Sequence, residues 1–206
     1  INRIGGAAGN IAVDENITHA YVDQYLIGVE REVFPDASLK VQYVRRNFDD
    51  IWAFIDTGSQ YEQVPRQDPG PDGRLGTADD GSVMTVFNLL NPGQSFLVLT
   101  NPEEAFRRYD ALQAIGRKRF SRNWQLLAAY TWSSTRGTVN NVGTSNIALG
   151  DTGPVVGIFT NPNRLINAEG PTVFDFRHQA SVQGTYQIPM WGGVNFSAAY
   201  GYLSGG

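Results

Sequence analysis

Two segments near the C-terminus alternate almost without error between apolar and polar residues. In Gln179–Ile188 and in Val194–Tyr202, every second residue belongs to an apolar set. A period of two predicts β-strands, each with one apolar and one polar face. Each segment has about ten residues, the length that crosses a bilayer as a tilted barrel strand. The polar positions carry mostly Gln, Ser, Thr and Asn, so one face suits a water-filled lumen and the other needs lipid to cover it.

A weaker alternation predicts four further strands upstream. They are Tyr21–Val33, Leu39–Val44, Tyr109–Phe120 and Trp124–Ser133. The second of these is expected to run on through Ile51–Ile55. The six strands form three hairpins, because short segments rich in turn-forming residues join them in pairs. These turns are Phe34–Ser38, Phe120–Asn123 and Pro189–Gly193.

The connections between the hairpins are long. Residues 57–107 contain two short apolar runs, Val83–Leu90 and Phe96–Thr100, which predict a minor hairpin. Asn101–Glu104 has Asn at a cap position followed by Pro and two acids, which predicts a single helical turn. Residues 136–173 form a second long loop, rich in Gly, Asn, Thr and Pro. Short turns at one end and long loops at the other are the layout of an outer-membrane barrel.

The pattern as a whole predicts an all-β fold, an antiparallel up-and-down segment of a transmembrane β-barrel with short periplasmic turns and long extracellular loops. Six strands cannot close such a barrel, which needs about eight, so residues 1–206 are expected to be an arc of one larger barrel domain. A soluble β-sandwich is the alternative. The side chains expected to face lipid are Trp124, Leu126, Tyr130, Trp132, Ala180, Val182, Tyr186, Ile188, Val194, Phe196, Ala198, Tyr200 and Tyr202.

Composition narrows the class of protein further. Charged residues make up 17% of the chain, below the roughly 25% of an average soluble domain. The net charge of -4 argues against nucleic acid as a partner. Without cysteine the chain forms neither disulfides nor thiolate metal sites, and no apolar run reaches the roughly 18 residues of a membrane helix. The chain begins at Ile1 and stops directly after a strand, so we expect a fragment of a longer protein.

The sharpest local motif is an acidic, glycine-rich loop. Asp68, Asp72, Asp79 and Asp80 lie among glycines that let the backbone fold around a centre. Ca²⁺ takes about six to eight oxygen ligands, which carboxylates and carbonyls supply. The loop is not an EF-hand but is similar to the DG-x-x-GT-x-DD loops of calcium-binding repeats. The pattern predicts a Ca²⁺ site, and the alternative is an acidic surface turn without an ion.

The sequence lacks the residue arrangements of an enzyme. It contains no nucleophile elbow and no phosphate-binding glycine-rich turn followed by Lys and a helix, so no catalysis is predicted and no cofactor is required. Asp175, Arg177 and His178 precede a predicted strand. Because His19 is the only other histidine and no third ligand is evident, His178 is predicted to be hydrogen-bonded at the start of the strand.

Four stretches resemble the barrel of TonB-dependent outer-membrane receptors, and the group they are most similar to is the large Oar-like receptors of bacteria such as acidobacteria. They are Tyr21–Arg46, Asp68–Gly81, Tyr109–Ser133 and Phe174–Pro189. The similarity covers roughly residues 10–206. Such receptors have about 22 strands around a lumen that an N-terminal plug fills. This chain departs from the full pattern, because it has no plug, no TonB box and no terminal strand ending in an aromatic residue.

The resemblance implies a bacterial outer-membrane protein that takes up a bulky nutrient, such as a metal chelate, an oligosaccharide or a peptide. Its partners would be outer-membrane lipid, the extracellular nutrient and, through the missing plug, the TonB complex. This chain would supply barrel wall and ligand-capture loops. A second hypothesis is a secreted or surface-exposed β-protein that binds calcium or a partner without transport. An enzyme-bearing barrel is a third, weakened by the lack of catalytic residues.

Overall fold

The computed structural model describes residues 2–3, 10–139, 158–191 and 193–205. Strands make up 59% of the structure and short helical turns 5%, which confirms the all-β prediction. In chain order the strands are β1 (Asn2–Arg3), β2 (Ile11–Val13), β3 (Tyr21–Phe34), β4 (Ala37–Asp49), β5 (Ala53–Asp56), β6 (Tyr61–Gln67), β7 (Val83–Leu89), β8 (Leu97–Thr100), β9 (Arg107–Ser121), β10 (Trp124–Gly137), β11 (Gly170–Pro171), β12 (His178–Ile188) and β13 (Val194–Leu203).

The chain divides into two compact units. With the undescribed residues set aside, unit 1 comprises residues 1–19, 50–105 and 143–168, and unit 2 comprises residues 20–49, 106–142 and 169–206. Each unit has a sheet of its own, because no strand pairing joins the two sets of strands among the residues that the structure describes.

Unit 2 is an antiparallel sheet of six long strands. They lie in the order β13-β12-β10-β9-β4-β3, with the two-residue β11 paired to the end of β10. Strands that follow one another along the chain are neighbours in this sheet, so the up-and-down topology is confirmed. The six strands have 10 to 15 residues, longer than the alternation alone predicts.

The two predicted turns whose residues are all described contain positive φ angles. Asp36, with φ 68°, follows Pro35 between β3 and β4, the pattern of a type II turn. Arg122 and Asn123, with φ 51° and 66°, connect β9 to β10. Two successive residues at positive φ make a type I′ turn, whose twist matches that of an antiparallel hairpin. The third turn follows β12 with a 3₁₀ segment, Pro189–Trp191, and includes residue 192, which lies outside the described residues.

Unit 1 is built from shorter strands. β1, β2, β8 and β5 form a four-stranded sheet in which β2 and β8 run parallel, and β6 and β7 form a separate hairpin. The hairpin predicted from Val83–Leu90 and Phe96–Thr100 is not formed, because β7 pairs with β6 and β8 pairs with β2 and β5 instead. The second predicted loop, residues 136–173, includes 3₁₀ segments at Ile158–Thr160 and Pro162–Arg164, and its residues 140–157 lie outside the described residues.

Two further local predictions are wrong. β4 does not run on through Ile51–Ile55, because Asp50 takes φ 53° and ends the extended backbone, and Ala53–Asp56 pairs with β8 in unit 1 instead. Asn101–Glu104 forms the single turn that the sequence predicts, but Asn101 does not cap it. The segment closes a single turn from Ala105 N to Pro102 O at 2.9 Å, and the Asn101 side chain accepts from Thr18 N rather than capping the turn.

Candidate lipid-facing and lumenal surfaces

The cross-strand register of unit 2 sorts its side chains onto two faces. In an antiparallel pair, residues directly opposite each other lie on the same side of the sheet. Tyr200, Val182, Ala128, Gly116 and Leu39 form one such row across five of the sheet's six strands. All thirteen side chains expected to face lipid lie on this side, which we call the apolar face.

Sequence reasoning missed half of the apolar face, because it assigned no lipid-facing residues to the first three long strands. The register adds residues of these strands and two small residues of β10 and β12. They are Ile27, Val29, Leu39, Val41, Tyr43, Leu112, Ala114, Gly116, Ala128 and Gly184. β3 and β4 also alternate with a period of two. Aligning their apolar positions with those of β10 would therefore have identified these residues from the sequence.

The apolar face is not covered by any second layer among the described residues. Val29, Phe196 and Tyr200 are exposed to 74%, 67% and 66%. A β-sandwich would bury these side chains in a core between two sheets. Instead they form a continuous exposed apolar surface, far more than the scattered exposed residues of a soluble monomer.

Aromatic side chains paired with polar groups mark both ends of the apolar face. At the short-turn end, Lys118 Nζ lies 4.8 Å from the centre of the Trp124 ring and donates to the Arg119 carbonyl at 2.8 Å. At the other end, the Tyr130 hydroxyl and His178 Nδ1 are 2.7 Å apart. This contact confirms the hydrogen-bonded role predicted for His178. Amphipathic rings at both borders are typical of barrel strands at membrane interfaces.

The length of the apolar stretch fits a bilayer. From Trp124 to Trp132 the strand β10 covers about 27 Å at roughly 3.4 Å per residue. With the tilt of about 40° usual for barrel strands, that corresponds to about 21 Å along the membrane normal, close to the roughly 25 Å band of outer-membrane barrels.

The opposite side of unit 2, the polar face, is rich in amides and hydroxyls. Its polar residues on the last three long strands are all uncharged: Gln125, Thr131, Ser133, Thr135, Gln179, Ser181, Gln183, Thr185, Gln187, Asn195 and Ser197. The side chains bond across strands, with Gln42 Nε2 donating to Gln113 Oε1 at 2.5 Å and Thr185 Oγ1 3.0 Å from Ser197 Oγ. Charged residues appear on the first three strands, where Glu30 lies opposite Lys40.

The absence of a side chain at Gly28 leaves space for the Gln42 side chain on the polar face. A Cβ at Gly28 would lie 2.7 Å from Gln42 Cβ and 3.0 Å from the Val41 carbonyl oxygen. Because Gln42 is only 8% exposed, its side chain has little room to move away. The glycine therefore keeps a buried glutamine within hydrogen-bonding distance of Gln113.

The comparison with known protein families agrees with these two faces. The model of a family described as an outer membrane beta barrel domain matches residues 4–206. This chain belongs to that family. Its location is therefore the bacterial outer membrane, as predicted. No curated protein and no solved structure matches the chain.

None of the helices among the described residues is both long and apolar enough to span a membrane.

In the predicted calcium loop of this barrel protein, the aspartate carboxylates accept hydrogen bonds from groups of the same loop. Each of the four aspartates accepts a hydrogen bond from within the loop, and the bond from the Thr77 hydroxyl lowers the pKa of Asp79. The described residues contain no group of three or more acidic or histidine side chains arranged to hold a metal. Calcium binding stays a prediction for a calorimetric titration. The bonds are Gly70 N to Asp68 Oδ1 (3.0 Å), Arg74 N to Asp72 Oδ1 (2.8 Å), Thr77 Oγ1 to Asp79 Oδ1 (2.7 Å) and Gly76 N to Asp80 Oδ2 (2.8 Å).

Asp175 anchors the segment that leads into β12. Its carboxylate is 6% exposed, accepts from Thr135 N at 2.6 Å and pairs with Arg177 Nε at 2.8 Å. The same segment bonds to β10 through Ser133 N and the Arg177 carbonyl, 3.0 Å apart. The sequence places Asp175 before a strand, but only the fold shows that it holds that strand against β10.

In unit 1, the Asp56 carboxylate likewise holds two segments of the chain together by hydrogen bonds. Partial burial, the largest single influence, disfavours its ionisation, but hydrogen bonds from the Ser59 hydroxyl, the Phe96 amide and Ser95 outweigh it. The pKa of Asp56 falls from 3.8 to about 2. Asp56 thereby ties β5 to the residues just before β8.

We expect unit 1 to loosen as the pH falls from about 4 to about 2. A carboxylate whose pKa is lowered by folding stabilises the fold above its unfolded pKa and loses that effect as it is protonated. The whole shift corresponds to about 2 kcal/mol. Hydrogen exchange of the Gly58, Ser59 and Phe96 amides at pH 5 and pH 2.5, corrected for intrinsic rates, measures it. Asp56→Asn should remove the pH step, and an equal step in that variant would contradict the assignment.

Proposed function

We propose that this chain supplies part of the wall and the ligand-capture loops of a TonB-dependent outer-membrane transporter. The transporter would actively take up a bulky nutrient: a metal chelate, an oligosaccharide or a peptide. The observation that carries the proposal is the single-layered, two-faced sheet of unit 2. Its apolar face calls for lipid on one side, and its polar face calls for water on the other.

The chemistry of the polar face supports passage of a large hydrated solute. Amides and hydroxyls such as Gln125, Gln183 and Thr185 both donate and accept hydrogen bonds, so they replace water around a polar solute without trapping it as a fixed charge would. Leu26 and Leu127 also lie on the polar face and offer no side-chain hydrogen bonds, so they limit how tightly a solute binds at any one position. No catalytic residues or cofactor are needed for such a wall.

The long connections between strands of unit 2, which contain the residues of unit 1, support the proposal that they are capture loops. They leave unit 2 at one end of its strands, because Tyr21 opposes Asp49 and Phe48 opposes Arg107. Among the described residues, the opposite end of the strands has tight turns. In outer-membrane barrels the long connections face the exterior, so these connections would be available to the nutrient.

Further strands must pair with the sheet for this proposal to hold. β3 and β13 are its two edges, and every residue of both is exposed. Unpaired backbone groups at these edges cannot remain in lipid. We propose that strands of a larger barrel, about 22 in number by resemblance, satisfy them, and that a plug domain links the lumen to the TonB complex.

A surface-exposed β-protein that binds calcium or a partner without transport is the second candidate. The Asp68–Asp80 loop favours it, since it is the one place with the composition of a cation site. The family match and the polar face favour the transporter.

Uptake measurements separate the candidates. Cells with and without the intact protein would receive a radiolabelled iron(III) chelate, a linear malto-oligosaccharide and a tetrapeptide. We expect one of the three to accumulate only in cells that have the protein, and a protonophore to reduce that accumulation at least tenfold. Accumulation that the protonophore leaves unchanged would indicate a passive pore. No accumulation of any probe would favour the second candidate.

A further inference from the structure

Two arginines on the polar face of unit 2 form crossed pairs with aromatic rings of the neighbouring strand. The guanidinium carbon of Arg107 on β9 lies 4.0 Å from the centre of the Phe48 ring on β4. In the reverse direction, the guanidinium carbon of Arg46 on β4 lies 5.6 Å from the centre of the Tyr109 ring on β9. Phe48 opposes Arg107 and Arg46 opposes Tyr109, so the two arginines are diagonal neighbours, with Cα atoms roughly 7 to 8 Å apart. We call Arg46 and Arg107 the crossed arginines.

The crossed arginines lie at the end of the polar face toward the long connections. Arg46 is four residues beyond Gln42 along β4, and Arg107 is six residues before Gln113 along β9. Because side chains alternate between faces, these even spacings place both arginines on the side of the Gln42–Gln113 hydrogen bond. If the sheet is the wall of a barrel, the pair lies on the lumenal side.

The crossed arginines differ in exposure. Arg107 is 4% exposed, and its Nε is sealed from solvent without a hydrogen-bond partner among the described residues. Arg46 is exposed, and its Nε donates to Gln24 Oε1 at 2.7 Å. A ligand therefore has access to the pair at Arg46, while Arg107 forms its buried side.

No carboxylate of the described residues lies within ion-pair distance of either crossed arginine. β4 and β9 each contain one carboxylate, Asp49 and Asp110, and alternation places both on the apolar side of the sheet. The β10 residue opposite Arg107 is Gly137, which has no side chain. Two positive charges thus share one region of the polar face without a negative partner.

A buried guanidinium without an acceptor is a costly arrangement. Burial of a charge is tolerated in proteins mainly when the charge is paired and hydrogen-bonded. The Phe48 ring attracts the Arg107 cation but accepts no hydrogen bonds from the N–H groups in the plane of the guanidinium. A bound oxyanion would supply both the opposite charge and the acceptors, since guanidinium donates two parallel hydrogen bonds to such a group.

We propose that the crossed arginines bind a carboxylate group of the transported nutrient. The inference rests on the proposed function and selects among its nutrient classes. A peptide ends in a carboxylate, and carboxylate oxygens are common ligands of chelated metals, whereas a malto-oligosaccharide carries no charge. Binding would neutralise Arg107 at the level where the polar face meets the long connections.

The test compares binding within two pairs of probes to the intact protein purified in mild detergent. The first pair is a tetrapeptide of uncharged residues with a free C-terminal carboxylate and the same peptide with a C-terminal amide. The second pair is an iron(III) complex of a polycarboxylate and a neutral iron(III) hydroxamate. In calorimetric titrations, the carboxylate member of one pair should bind at least tenfold more tightly than its neutral counterpart, and that pair identifies the source of the carboxylate.

Single variants assign the preference to the crossed arginines. Arg46→Gln and Arg107→Gln should each reduce the preference for the carboxylate probe at least fivefold. Arg117→Gln is the matched control, because Arg117 lies on the same strand and face as Arg107 but near the short-turn end, opposite Ser38 and Leu127. The control should keep the full preference.

A thermal measurement separates ligand binding from a structural role of Arg107. Without a probe, Arg107→Met should raise the midpoint of unfolding, since it removes an unpaired buried charge and keeps an apolar chain over Phe48. The carboxylate probe should raise the midpoint of the unmodified protein and leave that of Arg107→Met unchanged. A lower midpoint of Arg107→Met without any probe would assign the arginine a structural role and overturn the proposal.

Other outcomes would also overturn the proposal. These are equal affinity within both pairs, absence of binding by all four probes, and an equal loss of preference in Arg117→Gln, which would indicate general charge attraction. Tighter binding of inorganic phosphate than of either carboxylate probe would exclude carboxylate as the ligand class. Cells that accumulate a neutral nutrient would still support the transporter assignment, so failure of this inference is distinguishable from failure of the proposed function.

Discussion

Replacing Val182 with arginine is expected to destabilise the folded barrel by about 2 to 4 kcal/mol. Val182 lies in the middle of β12, between its cross-strand partners Ala128 and Tyr200, and is 42% exposed on the apolar face. An arginine there would carry its charge into the hydrocarbon of the bilayer, where no water or carboxylate of this face compensates it. Urea titration of the protein in lipid vesicles measures the loss.

Gln183→Arg is the matched control for Val182→Arg. Gln183 is the next residue on the same strand, and alternation places it on the polar face opposite Leu127 and Ala199. The same charge at the same depth would then meet water, and we expect a change below about 1 kcal/mol. If both variants lost stability equally, or if Gln183→Arg lost more, the assignment of the two faces would be wrong.

The second large effect is expected from Asp175→Ala, which should cost about 2 kcal/mol. The substitution leaves the buried Thr135 N–H without its acceptor and Arg177 without its carboxylate. A buried donor that loses its partner costs about 1 to 3 kcal/mol. Arg177 is 43% exposed, so water recovers part of its charge interaction and adds little to the loss.

Two variants separate the contributions at Asp175. Asp175→Asn keeps an oxygen for Thr135 N–H but removes the charge, so it should recover most of the stability. Arg177→Gln tests the ion pair alone and should cost less than about 1 kcal/mol. Hydrogen exchange of the Thr135 amide reports the same bond locally. A loss in Arg177→Gln as large as in Asp175→Ala would assign the effect to the ion pair instead.

The strands and their topology follow from the sequence to a large extent. Alternation in Gln179–Ile188 and Val194–Tyr202 predicts β12 and β13 to within one residue at each end. The predictions fail where a local sequence pattern is overridden by a contact with residues far along the chain. The backbone leaves the extended conformation at Asp50, and the Asn101 side chain bonds to Thr18 instead of capping its own turn.

The sequence predicts the strands more readily than it predicts which of their faces adjoin and which residues pair across strands. Alternation within one strand gives two faces but does not say which of them continues onto the neighbouring strand. Arg108 and Arg136 are 28 positions apart, and only the register of β9 with β10 brings them opposite each other. Likewise, Gly28 and Gln42 become neighbours only through the β3–β4 register.

The sequence by itself determined the all-β class, the six long strands, the tight turns and the two-faced character of the wall. These features are local, because side-chain alternation and turn-forming residues act over a few positions. Tertiary structure alone decided which strands pair in which register, that Ala53–Asp56 joins β8, and how the carboxylates of Asp56 and Asp175 are engaged. Those outcomes depend on contacts between residues that lie apart along the chain, such as the Asp56 and Asp175 hydrogen bonds that each span about 40 positions, and no local pattern specifies them.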